Sequence, residues 1–448
     1  MPSRYVLIGN GAAGLSAAEA IRQHDSTGQI TIVTEEPHAF YSRPGLAYFL
    51  TNTIPQEQLF PRAPDDLRQL GVQTVHARAM HIDPHAHQVH FSDGRSVTYD
   101  ALLLATGASA ILPDTPGMEL DGVVTLDCLE DALHILRLSK RARRAVVIGG
   151  GVTALELAEG LAARDVQTHY LLRGDRYWSQ VLDEDESAMV EDSLANEGIV
   201  IHRRTNIQRV LGRRGRVAGV LTDRGQTIQC QIVAVAIGIQ SRLELANSAG
   251  LETDRGVLVG PGMCTSDPDV FAAGDVAQVF DPLTRTFRLD SLWWIAQEQG
   301  YCAGCNMAGL DKPYVHSTSF NITRIGGVIT AIIGAVGQTE ASDGDLETII
   351  RGDSELWREA LDSFAVESED SHSRVRLMVN HHNIVGAVVM GDQRHTDLVR
   401  EYICEAIDIR PIRELLTRNP QRSVEILTAY RQRLPSNGST NGRHVRRT

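Results

Sequence analysis

Three glycines and an acid near the start of the chain have the types and spacing of a phosphate-binding turn. Gly9-x-Gly11-x-x-Gly14 follows a short apolar run, Tyr5-Val-Leu-Ile8, and precedes a helical pattern from Leu15 to about Gln23. In that setting the first glycine permits a tight turn and the second lets the backbone approach a pyrophosphate. The third allows close helix packing. The helix N-terminus adds unpaired N–H groups and the positive end of its dipole. A second strand, Gln29 to Thr34, ends at Glu35-Glu36, where a carboxylate can accept from ribose hydroxyls. Glu35 is preferred over Glu36 for that role. Strand, turn, helix, strand and acid together predict a dinucleotide site more strongly than the glycines alone.

The pattern restarts further on. Ala145-Val-Val-Ile148 leads into Gly149-Gly150-Gly151-x-x-Ala154 and a helix to about Ala163, and Gln167 to Leu172 is the next strand. Here the strand ends Leu172-Arg173, with Arg176 close behind, and no carboxylate stands at the ribose position. An arginine can pair with a 2′-phosphate through its fork, so this half favours NADPH over NADH. The competing reading is that Arg173 and Arg176 are solvated surface charges. A third signal is Ala272-Ala273-Gly274-Asp275 at a strand end, where an Asp can hydrogen-bond a polyol chain.

Two smaller groups are weaker. Cys302-Ala-Gly-Cys305 lies in a helix and has no second pair to complete a zinc site, so structural thiols are the preferred reading over a redox dithiol. His81, His85, His87 and His90 fall on a hairpin pattern, and His381 and His382 in a turn; surface positions are preferred to metal ligands.

The elements that must hold these residues fit 448 residues, a length suited to about three domains. The predicted fold is α/β, with two Rossmann-like dinucleotide-binding domains followed by a C-terminal α+β domain. Residues 1–115 and 245–312 form the first, interrupted by the second at 116–244. The third spans 313–433, and 434–448, rich in Ser, Asn, Gly and Arg, reads as a disordered tail. A helix is expected from Trp293 to Ala308, starting at Asp290-Ser291, and strands at Ser319–Ile325, Ile329–Val336, Val375–Val379 and Ile384–Met390. The net charge of -13 argues against nucleic acid as a partner. No run reaches the ~18 apolar residues of a membrane span. Met1 to Tyr5 runs straight into a strand without a leader-like segment, so a cytoplasmic location is expected. Six scattered cysteines give no disulfide framework.

In combination these motifs resemble the pyridine nucleotide–disulfide oxidoreductase superfamily of two-dinucleotide FAD flavoproteins, over residues 4 to 310. Tyr41-Ser-Arg-Pro-Gly-Leu46 and Leu292-Trp293-Trp294 resemble its rubredoxin and ferredoxin reductases and the flavin domain of NAD(P)H nitrite reductases. The resemblance implies that Gly9, Gly11, Ala13, Gly14, Glu35, Arg43, Pro44, Ala79, Ala105, Thr106, Gly107, Gly274, Asp275 and Trp293 hold FAD. It implies that Gly149, Gly151, Val152, Glu156, Arg173, Arg176 and Gly238 hold NAD(P), with Glu156 beside the nicotinamide. Glu156 is otherwise an ordinary helix charge, and Trp293 and Trp294 are otherwise core or interface aromatics. Two departures stand out: Tyr48 and Asp127 occupy positions where relatives often have a flavin-side lysine and an FAD-contacting arginine. From Tyr41 to Leu50 there is no cysteine, which removes the family's thiol relay. Hydride from NADPH or NADH to flavin, then electrons to a protein carrier such as rubredoxin, ferredoxin or a reductase subunit, is the implied activity. The alternatives are an NAD(P)H oxidase or small-molecule reductase, and a flavin subunit of a larger electron-transfer complex. Relatives also suggest a homodimer through the third domain.

Overall fold

The computed structural model describes residues 2–62, 64–281, 285–337, 349, 351–358, 363–369 and 373–434. The expected tail beyond Leu434 and half of residues 340–371, a stretch rich in acidic residues, lie outside them. The first apolar runs form one five-stranded parallel sheet in the order Val270–Ala272, Ala101–Leu104, Arg4–Ile8, Gln29–Thr34 and Val72–His76. Apart from the half-exposed edge strand Val72–His76, these strands are largely buried on both faces, which is why they read as hydrophobic stretches. Val270–Ala272 returns to this sheet from far down the chain. So does helix Trp293–Met307, which packs along helix Ala12–His24. That contact needs small residues. A Cβ at Gly300 would fall 2.1 Å from the Ala13 carbonyl oxygen, and one at Gly304 would fall 2.4 Å from that of Ala17.

A second parallel sheet has the order Val200–His202, Gln167–Leu171, Arg144–Ile148, Ile232–Val235, Val123–Val124. Its central helix is Val152–Ala162. The short strands Ala108–Ala110 and Ile239–Ser241 pair antiparallel where the chain passes between the two units.

The C-terminal part is a five-stranded antiparallel sheet: Phe320–Ile325, Val328–Gly334, Ile384–Gly391, Ser373–Val379, Phe364–Glu369. Alternation along Ser373–Val379 sends successive side chains to opposite faces. Val375, Leu377 and Val379 join the cluster beneath helices Thr396–Cys404, Arg410–Arg418 and Ser423–Arg431. Arg374 and Arg376 face the second dinucleotide unit instead. Both Arg376 and Glu186 are 0% exposed, and the guanidinium meets the Glu186 carboxylate through two hydrogen bonds of 3.0 Å. It also donates to the carbonyls of Val336 and Val181. Arg374 donates to Asp183 at 3.0 Å. Asp183 and Glu186 also form the capping box of helix Glu184–Asn196, so one acidic pair both starts a helix and anchors the third sheet.

The helix expected to start at Asp290-Ser291 starts at Leu292. A chain segment from the C-terminal part takes up the two polar residues. Ser354 donates to Asp290, and Ser291 exchanges backbone hydrogen bonds with Gly352 and Asp353.

Candidate functional site

A cavity of about 570 Å3 runs between the two parallel sheets and the C-terminal sheet. Of the residues expected to hold FAD, all but Gly14 line it: Gly9, Gly11, Ala13, Glu35, Arg43, Pro44, Ala79, Ala105, Thr106, Gly107, Gly274, Asp275 and Trp293. Of the expected NAD(P) set, Val152 and Glu156 line it, and the others do not. Gly149, Gly151 and Gly238 instead gather at the carboxyl ends of the second sheet, where a topological crevice forms. Arg173 is exposed beyond Leu171, and Arg176 donates to the Ser179 carbonyl and lies 3.8 Å from Asp175.

The glycines of the first turn divide their work as the spacing predicts. Gly9 has φ +119°, and a Cβ there would meet the Ala105 carbonyl oxygen at 2.1 Å. Gly14 lies under the turn, where a Cβ would meet the Gly9 carbonyl oxygen at 2.1 Å. Gly11 has nothing within 4 Å of its Cβ direction, so its bare backbone faces open space in the cavity. The second turn repeats the scheme: Gly149 has φ +146° with its Cβ direction against the Ala236 carbonyl, and Gly150 opens to free space.

Helix caps carry the same message. Helices Ala12–His24, Val152–Ala162 and Trp293–Met307 begin at Gly11, Gly151 and Leu292, none of which makes a side-chain cap. Gly11, Val152, Leu292 and Trp293 line the cavity. First-turn N–H groups with no side-chain acceptor are available to an anionic ligand. Helix Glu184–Asn196, remote from the cavity, has a complete capping box. Asn10 Oδ1, between the first two glycines, is buried without a protein partner. The bare turns and the uncapped helices fit dinucleotide phosphates, and the orphaned amide oxygen, an acceptor, fits a donor such as a ligand hydroxyl.

The acids are sorted by their partners. Glu36 accepts from Tyr41 at 2.7 Å and from Arg43 at 2.5 Å, which holds its carboxyl below the usual range against the cost of burial. Glu35 is 53% exposed and lines the cavity, 3.7 Å from Arg78 and 3.9 Å from Arg242. Asp275 is pushed up by burial, opposed by Arg351 and then Arg43 and Arg242. Glu156 is pushed up to about 8 by burial, with the Glu159 charge adding and Arg351 opposing. Glu159 rises to about 7, through burial and the Glu197 charge. These two glutamates and Tyr48 share a smaller cavity of about 230 Å3, which Glu156 connects to the larger one. Trp293 packs 5.7 Å from Phe40 on the cavity wall, whereas Trp294 is 53% exposed.

Two arginines that sequence reasoning missed stand in the cavity. Arg242 receives the Thr106 hydroxyl on its carbonyl, donates its own N–H to Gly107 and reaches Ser109 with its side chain. Arg351 lies on the segment that crosses from the C-terminal part. It donates to Asp127 at 2.6 Å and lies 3.8 Å from Asp275. Neither arginine belongs to a local pattern, so no spacing could have flagged them.

Among the described residues, no cysteine lines the cavity. Cys302 and Cys305 are buried on the helix that follows it, and burial pushes Cys302 up to about 11. His81 and His90 stack across the hairpin pair at 5.9 Å, and His87 stacks on Tyr99 at 5.2 Å. Among the described residues, no helix is long and apolar enough to cross a membrane.

The sequence profile of the pyridine nucleotide-disulphide oxidoreductases matches residues 3–300. The chain belongs to that family. It is 34% identical over 291 residues to a rubredoxin-NAD(+) reductase of Ectopseudomonas oleovorans, covering 64% of this chain and 75% of the relative. It is 27% identical over 423 residues to the epsilon subunit of an NADH-dependent phenylglyoxylate dehydrogenase of Aromatoleum evansii, covering 93% and 95% of the two chains. In fold it is similar to the reductase in a covalent putidaredoxin reductase–putidaredoxin complex: TM-score 0.82, 22% identity, 96% and 99% of the two chains. As a member of the family the chain is an oxidoreductase that works with FAD and NAD(P)H. The cavity lining shows how far this member departs from the family's name, since it presents no thiol.

Proposed function

We propose that this flavoprotein oxidises NAD(P)H and delivers the electrons to a protein carrier such as rubredoxin or ferredoxin. The observation that carries the reading is one cavity that runs from the first glycine turn to the start of the helix after the second, at Val152 and Glu156, and is lined by no cysteine among the described residues. When bound, FAD supplies an acceptor for a hydride that can give up electrons one at a time, as single-electron carriers require. The chain's residues bind and orient. Gly11 and the uncapped helix starts receive phosphates, Glu35 receives a ribose, and Asp275 receives the polyol chain. Glu156 holds a proton on the nicotinamide side near neutral pH. The relatives named for rubredoxin and putidaredoxin support the class of acceptor.

For the donor we propose NADPH. Arg176 and Arg204 lie 3.8 and 3.6 Å from Asp175, and Arg173 is exposed two residues before it, which supports a cationic site for a 2′-phosphate. We also retain the domain limits set out from the sequence.

A second reading is favoured by the Aromatoleum subunit, which matches along nearly the whole chain: a flavin subunit of a larger electron-transfer complex. Stopped-flow reduction by NADPH followed by mixing with purified rubredoxin or ferredoxin tests the first reading. Rapid reoxidation by a carrier supports it. Slow reoxidation by every carrier, with rapid oxygen consumption, marks an oxidase instead. Slow reoxidation by both, with turnover restored by a partner subunit, favours the second reading.

A further inference from the structure

Two carboxylates, Asp127 and Asp275, face a cavity suited to an anionic dinucleotide, and they come from different parts of the chain. Unpaired, they would repel each other and the ligand. A single guanidinium meets both. One nitrogen of Arg351 donates to Asp127 Oδ1 at 2.6 Å, and another lies 3.8 Å from Asp275 Oδ2. The three side chains are 16–22% exposed, so solvent screens them only in part. Asp127 is fixed from its other side, its Oδ2 accepting from the Ala110 N–H at 2.9 Å. The backbone around Arg351 is held equally firmly. The Ile349 carbonyl accepts from Ile239, Gly352 donates to the Ser291 carbonyl, and Asp353 accepts from Ser291, all at 3.0 Å. Further along, Glu355 accepts from Leu289, and buried Trp357 packs 6.1 Å from Trp178. Arg351 therefore comes from the C-terminal part on a strap tied to both dinucleotide units.

We propose that Arg351 is a positioning residue for the flavin side of the cavity, clamping Asp127 and Asp275 so that retention and potential of FAD depend on the C-terminal part of the chain. The proposal rests on the flavin reading above. A lysine could not reproduce the clamp, because one ammonium cannot address two carboxylates from two nitrogens. It would preserve the charge.

The test uses the FAD-loaded chain with Arg351→Gln, Arg351→Lys and Asp127→Asn. FAD release after dilution is followed by fluorescence, and the midpoint potential by equilibration with a reference dye. Arg351→Gln is expected to release FAD about tenfold faster, because Asp127 loses its ion pair and Asp275 loses the first of the three arginines that offset its burial. It is also expected to have a more negative potential, since a cation that favours the electron-rich flavin is gone. Arg351→Lys should release FAD faster while keeping a near-wild-type potential. Asp127→Asn loosens the clamp without removing the cation, so it should speed release without lowering the potential, and it serves equally if Arg351→Gln does not fold. Wild-type release and potential in the Gln variant, or a lowered potential in the Asn variant, overturn the proposal alone. A wild-type chain that holds no FAD overturns the flavin reading and this proposal with it.

Discussion

Replacing Gly11 by alanine separates ligand binding from folding, and its effect can be worked out from the turn itself. Gly11 has φ −96° and ψ −167°, which any residue can adopt, and its added Cβ meets no protein atom within 4 Å. The folded apoprotein should therefore tolerate the change. Alanine is a clearly poorer N-cap than glycine but reduces the entropy of the unfolded chain, so the two effects offset to within about 1 kcal/mol. The space that the methyl enters is the space a pyrophosphate must use to reach the first-turn N–H groups. Losing about two charge-assisted hydrogen bonds, at roughly 1.5–3 kcal/mol each, weakens FAD by ~3–6 kcal/mol. At 1.4 kcal/mol per decade this is roughly 10²- to 10⁴-fold in Kd. Gly9→Ala is the contrast: it forces a side chain onto φ +119° and onto a carbonyl 2.1 Å away. It should lower the stability of the apoprotein itself. Fluorescence titration of stripped protein with FAD, beside thermal denaturation of the same samples, measures both quantities. Unaltered FAD affinity in Gly11→Ala, or an apoprotein as destabilised as that of Gly9→Ala, would refute the assignment of the turn.

Three further outcomes are expected. Arg376→Met leaves the Glu186 carboxylate buried without its partner and should cost ~3–5 kcal/mol in denaturant unfolding, much of it recovered by adding Glu186→Gln; a loss below ~1 kcal/mol would show that the pair does not anchor the third sheet. Because the folded-state pKa of Glu156 is raised to about 8, the unfolded chain loses that proton first as pH rises. Wild type should then lose stability between its unfolded pKa of about 4.3 and its folded value, and FAD-saturated Glu156→Gln should lose less over the same range by thermal denaturation. Equal slopes would contradict the shift. Arg173→Gln with Arg176→Gln should lower kcat/KM for NADPH by roughly 10- to 100-fold while sparing NADH, from the loss of charged contacts to a 2′-phosphate; a wild type that strongly prefers NADH would remove the NADPH reading.

Much of the fold was legible because parallel strands advertise themselves. Gln29–Thr34 was bounded correctly to the residue, and Arg4–Ile8 and Arg144–Ile148 nearly so, since unbroken apolar runs beside glycine turns admit few alternatives. Helices Arg410–Arg418 and Ser423–Arg431 were missed, although Ile412 and Leu416 are buried at helical spacing and a proline stands at the first turn. Arg410, Arg413 and Arg418 obscured the apolar stripe of the first. In the cavity, residues tied to local turns, Glu35 among them, were named from the sequence. Arg242 and Arg351 were not. Their roles arise from contacts 133 and 224 residues away in sequence, to Ser109 and Asp127, which only the packed chain brings together. The Asp290-Ser291 start of the helix failed for the same reason, because a distant strap claims both residues.

The most direct measurement is an anaerobic titration of the purified FAD-loaded chain with NADPH, followed by visible absorbance. With no thiol among the described residues of the cavity, the flavin is the whole electron store, so one equivalent of NADPH should bleach the oxidised flavin bands completely, without a long-wavelength thiolate–flavin band. A requirement for two equivalents, or the appearance of that band, would contradict direct transfer from flavin, and a preparation that binds no flavin at all would contradict the assignment of the cavity.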